Sequence, residues 1–117
     1  MSGVEKRQNP RIQPFVAACR YVQGEQRVAG FLTDLSRGGA RIHADVEGPA
    51  AETGITVEVR MGQVATHVRL PAVVRWSKPS PRGGFVFGVS FDGIGADEQK
   101  ILDGVIEEFR RRAAQLV

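Results

Sequence analysis

The chain has 117 residues, 42% of them hydrophobic and 25% charged, a balance that suits one globular domain and excludes wholesale disorder. Its one cysteine cannot close an internal disulfide, apolar stretches such as Phe15 to Cys19 are far too short to span a bilayer, and no apolar segment follows Met1 as a secretory signal, so the expectation is a small cytoplasmic domain. The net charge of +3 is uneven: residues 1–43 hold seven Lys/Arg against three acids, whereas residues 92–117 hold four against six, which points to an anionic partner at the first third unless those cations form a solvated face.

Residues 1–13 offer few apolar side chains and are expected to form an extended arm. From position 14 to 92 the pattern is that of about six short strands. Val28 to Leu35, Ile55 to Met61, Val68 to Trp76 and Phe85 to Phe91 are rich in β-branched and aromatic residues. Ile55, Val57, Val59 and Met61 share one face; so do Val68, Leu70, Ala72, Val74 and Trp76, and again Phe85, Phe87, Val89 and Phe91. Gly- and Pro-rich turns separate these runs, which predicts a small antiparallel barrel or sandwich. Pro71 marks an edge or a bulge within its strand. After Gly95 the period becomes helical: Ile101, Leu102, Val105, Ile106, Phe109, Ala113 and Leu116 recur on one face. Asp97 and Glu98 lead and Arg110 to Arg112 close, the order that complements a helix dipole. One amphipathic helix at about 97–114, within a terminal segment of 93–117, is expected to cap the barrel, with close packing at Gly104.

Catalytic and metal chemistry find little support. His43 and His67 have no Cys, His or Asp cluster at metal-ligand spacing. Cys19 lies in an apolar strand, so an inert buried thiol is favoured over a nucleophile. Ser36 lacks a nucleophile-elbow context, and with Asp34 it suits hydrogen bonding in an exposed turn better than a catalytic triad. No P-loop or dinucleotide glycine motif is present. An enzyme is not expected.

Two segments stand out. Arg7 and Arg11 form an Arg-x-x-x-Arg pair on the arm, and guanidinium forks bind phosphate and the O6/N7 edge of guanine in a bidentate manner that lysine cannot copy. Asp34-Leu35-Ser36-Arg37-Gly38-Gly39 follows at a strand end. Its carboxylate and hydroxyl together offer acceptors and a donor for a base or ribose, and Gly39 permits a positive φ or a close backbone approach. The alternative for this segment is an ordinary turn whose Asp and Ser bond their own backbone.

Together, in this order, the two segments resemble the PilZ domain, the bacterial receptor module for cyclic di-GMP, marked by Arg-x-x-x-Arg and then Asp/Asn-x-Ser-x-x-Gly. Ala72-Val73-Val74-Arg75-Trp76 and Gly88-Val89-Ser90-Phe91 look like that family's fifth and closing strands. The resemblance implies a six-stranded antiparallel barrel with a C-terminal helix, its arm folding cyclic di-GMP against the barrel surface. It implies that Arg7 and Arg11 contact phosphates and guanine, and that Asp34, Ser36 and Gly39 hold a guanine. Arg37, Arg41 and Trp76 are secondary candidates, Trp76 either as a stacking face or as part of the core. A basic residue before the first motif arginine, here Lys6, favours in this family a stacked pair of ligands. No cofactor is implied. The expected partners are cyclic di-GMP and an effector protein in motility, adhesion or polysaccharide control, with a ligand-linked dimer and neither nucleic acid nor membrane insertion. The rivals are a PilZ-fold scaffold that no longer binds ligand, for instance in pilus assembly, and a basic barrel that binds single-stranded nucleic acid. The second would show more exposed aromatics than one Trp and one Tyr supply.

Overall fold

The computed structural model describes residues 17–60 and 67–115. Six strands, β1 (Ala17–Gln23), β2 (Gln26–Leu35), β3 (Gly39–Ala44), β4 (Gly54–Arg60), β5 (His67–Pro79) and β6 (Phe85–Ser90), precede one helix, α1 (Ala96–Gln115). The strands close into an antiparallel barrel in the order β1-β2-β3-β6-β5-β4. Closure leaves no sheet edge for aggregation, which suits a small all-β unit. The arm, with Lys6, Arg7 and Arg11, and the expected alternation partner Met61 lie outside the described residues.

Most of the side chains the alternation selects are inward; Trp76 and Phe85 are not in the core. Ile55, Val57, Val59, Leu70, Ala72, Val74, Phe87 and Val89 are buried together with Tyr21, Leu32 and Ile42. Tyr21 meets Phe87 edge-to-face across the interior, ring centroids 5.0 Å apart. Cys19 is part of this core, and burial pushes its thiol pKa up to about 12; at neutral pH almost none of it is the reactive thiolate.

Helix α1 begins where Glu98 Oε1 accepts the Gly95 N–H at 3.0 Å, the returning half of a capping box. Leu102, Val105, Ile106 and Phe109 are buried against the barrel. Ile101 is exposed rather than part of the packed stripe, because it precedes Leu102 by 100° of helix rotation and falls off the edge of the buried arc. Gly104 is also exposed, and a Cβ there would touch nothing within 4 Å. Close packing does not explain that glycine.

Pro71 sits in an edge-like position. Strand β5 pairs with β4 from His67 to Val73 and with β6 only from Val73 onward, so at Pro71 the missing N–H deprives no β6 partner. The bulge in β5 lies further on, between Val74 and Trp76.

Candidate functional site

Two bulges build the site. In β2, Leu32 pairs with Ile42 but Asp34 pairs with Arg41, so Thr33 is an extra residue. In β5, Val74 pairs with Val89 but Trp76 pairs with Gly88, so Arg75 is extra. One inserted residue reverses the inward–outward alternation of everything after it. Asp34 and Trp76 therefore turn to the outer surface, although simple alternation from Leu32 and Val74 would point both into the core. The Arg75 bulge is held by its own guanidinium, which donates to Ser90 Oγ at 3.0 Å and to Glu52 Oε1 at 2.7 Å.

The two reversals align four residues. Asp34 opposes Arg41, Arg41 opposes Gly88, and Gly88 opposes Trp76. This row crosses β2, β3, β6 and β5 on the outer wall, roughly 14 Å at the usual strand spacing. Trp76 is 38% exposed, so the core alternative for this residue is overturned. Its indole lies over Gly88, where a Cβ would run into indole atoms. Lys78 Nζ stands 5.4 Å and Arg41 Cζ 6.0 Å from the ring centroid, within range of a cation–aromatic attraction. The result is an indole flanked by two cations.

Asp34 and Ser36 are buried, each 2% exposed, and not set in the exposed turn that their spacing predicts. Arg41 Nη2 approaches Asp34 Oδ2 at 3.8 Å. Ser36 is tied to its own loop: its N–H donates to the Gly39 carbonyl at 2.8 Å, its Oγ accepts the Gly38 N–H at 3.2 Å and donates to the Gly39 carbonyl at 3.4 Å. The local-turn alternative is thus realised for Ser36, whose hydroxyl shapes the loop. The Phe91 N–H donates to the Gly38 carbonyl at 3.2 Å and fastens the loop to the end of β6.

Of the two uses expected for Gly39, the structure selects close approach. Its φ is not among the positive ones, and a Cβ would collide with the Val89 carbonyl oxygen of β6. Arg37 points away from this row: its Nε is 3.1 Å from Asp103 Oδ1 on α1. Both side chains are more than half solvated or close to it, so the pair is worth no more than about 1 kcal/mol.

His43 is half-buried on β3, and its pKa is lowered by burial first and then by the positive charges of Arg41 and Arg82. Glu58, a buried acid on β4 at the opposite wall, has its charge met by Arg69 at 3.1 Å and Arg27 at 3.7 Å. Among the described residues no group of three or more His, Cys, Asp or Glu side chains is placed to hold a metal ion. No helix among them is long and apolar enough to cross a membrane.

A model of the PilZ domain family matches residues 5–108. No curated protein sequence matches the chain. Among solved structures, the PilZ domain with c-di-GMP of YcgR from Escherichia coli superposes with a TM-score of 0.70 at 18% identity, over 95% of this chain and 96% of that one. The Bacillus subtilis inhibitor of motility MotI/DgrA gives 0.68 at 19% identity, over 93% of this chain. The MrkH–c-di-GMP complex of K. pneumonia gives 0.67 at 14% identity, over 97% of this chain. The chain spans 52% of MotI and 57% of MrkH. At these identities the three likenesses establish the fold.

Proposed function

The chain belongs to the PilZ domain family, and from that premise we propose that it is a receptor for cyclic di-GMP that passes the signal to a partner protein. PilZ domains are ligand-binding receptor modules rather than enzymes, and the YcgR and MrkH structures are those of relatives with c-di-GMP. The observation that carries the reading is the bulge at Thr33, which spends a register shift to put a buried carboxylate on the outside of the barrel, in line with Arg41 and Trp76.

In this reading Asp34 accepts the N1–H and N2–H of one guanine, which present two donors side by side. Ser36 and Gly39 hold the loop in the shape that aims Asp34. Arg7 and Arg11 supply forks for the phosphates and the O6/N7 edge, and Lys6 is the added cation that admits a second, stacked ligand. Arg41 and Lys78 offset the ligand's two negative charges beside Trp76, whose free face takes a base. Arg37 contributes only by giving up Asp103. The domain is one unit, with the arm at 1–13 serving the barrel at 14–92 and the helix beyond it. Ordering of the arm around the ligand then changes the surface offered to the partner in motility, adhesion or polysaccharide control.

Trp76 is the chain's single tryptophan, so its fluorescence reports this site alone. Cyclic di-GMP is expected to quench the emission saturably, GTP at equal concentration to leave it unchanged, and Asp34→Ala to abolish the effect. An emission spectrum unmoved by saturating cyclic di-GMP would contradict Trp76 as a base platform.

A further inference from the structure

Among the described residues the exposed large hydrophobics are Phe31, Val46, Trp76 and Ile101. Two of these are aromatic, and both stand on the outer wall formed by β2, β3, β6 and β5. Trp76 belongs to the row already described. Phe31 belongs to the next one: it opposes His43, His43 opposes Val86, and Val86 opposes Lys78. Arg41 and His43 are two residues apart on β3, as are Gly88 and Val86 on β6, so the second row lies roughly 7 Å along the strands from the first.

Phe31 is 53% exposed, and the inward positions on either side of it are already filled by Gly30 and Leu32. The core does not use its ring. Instead the ring borders an open groove of about 470 Å³ with His43, Ala18, Ala29 and Gly83, large enough for a nucleobase. The groove's polar lining is His43 with Arg20 and Asp45. With its pKa lowered by burial and by Arg41 and Arg82, the imidazole is neutral at pH 7 and presents one donor and one acceptor. The groove's positive charge comes from the exposed Arg20 on β1, beside Ala29. A solvated aromatic face, a neutral imidazole and an arginine fork are the parts that take up a purine and its phosphate, with Asp45 free to accept from the base edge.

We propose that this groove is a second purine subsite, in which Phe31 stacks on a guanine that the Asp34 loop does not hold, while His43 meets the base edge and Arg20 the phosphate. The inference rests on the cyclic di-GMP reading and extends the ligand footprint from that loop toward the β5–β6 hairpin.

The test is a calorimetric titration of the full chain, Phe31→Leu and Phe31→Trp with cyclic di-GMP, alongside the ring-proton shifts of Phe31 in the unmutated protein. Leucine keeps the apolar volume and removes the stacking face, so Phe31→Leu is expected to weaken binding about fivefold to hundredfold, the range of one base–aromatic stack. Phe31→Trp is expected to retain affinity, and the Phe31 ring protons to move upfield on saturation. Phe31→Leu titrating like the parent, or ring shifts unmoved by ligand, would overturn the subsite and leave the receptor reading standing. A parent protein that takes up no cyclic di-GMP would overturn both.

Discussion

Alanine at Arg7 or Arg11 is expected to weaken cyclic di-GMP binding about tenfold to hundredfold while moving the melting temperature by little. Each arginine brings charge-assisted hydrogen bonds worth roughly 1.5–3 kcal/mol, and every 1.4 kcal/mol is a factor of about ten in affinity. The fold has its own resources. Strand β1 begins at Ala17 and is paired on both sides, with β2 and with β4, and the core residues run from Cys19 to Phe109. Lysine at either position keeps the charge and loses the planar fork, so Arg7→Lys should recover only part of the affinity. Titration calorimetry and thermal melts on the same samples separate the two effects. Parental affinity in both alanine variants would remove the arm from the binding site; a drop of many degrees in melting temperature would make it part of the fold.

Gly39→Ala is expected to damage both properties at once. The added Cβ meets the Val89 carbonyl oxygen, a backbone atom of the paired strand, so β3 and β6 must separate locally. Overpacking of that kind costs about 1–3 kcal/mol, which for a domain of this size lowers the melting temperature by roughly 4–12 °C. Binding should fall as well, because the Gly39 carbonyl accepts from both Ser36 N–H and Ser36 Oγ and Arg41 lies two residues along the displaced strand. Gly104→Ala is the control: a helical glycine facing open space should gain up to about 1 kcal/mol. Equal melting temperatures for Gly39→Ala and the parent would show that β3 and β6 are not as closely apposed as the structure has them.

The fold was largely legible because it depends on period. Alternation at Ile55, Val57 and Val59 and at Phe87, Val89 and Phe91 marks inward faces that stay inward, and the change to helical spacing after Gly95 marks α1. The site was legible only as a motif. Asp34, Ser36 and Gly39 can be picked out by type and spacing, but their burial and Ser36's local bonding are tertiary facts.

What alternation could not supply was the direction of Asp34 and Trp76. A bulge is one residue of local geometry and leaves no hydrophobic signature, so a period of two carried through Val74 assigns Trp76 to the core. The one hint lay elsewhere: Gly88 interrupts a strand of Phe, Val and Phe, and a glycine inside a strand signals a close approach by something large. Phe31 was legible in principle, since it falls between Gly30 and Leu32 on the side opposite to Leu32. Its importance depends on His43 and Arg20 sharing its groove, which only the pairing of β1, β2 and β3 provides.

Whether this PilZ domain binds cyclic di-GMP is decided by titration calorimetry with that ligand, run beside GTP and linear di-GMP. A saturable exothermic isotherm for cyclic di-GMP at two ligands per protomer is expected, with little or no heat from either control. A flat trace for cyclic di-GMP from a cooperatively folded sample would contradict it and leave a PilZ-fold scaffold in its place.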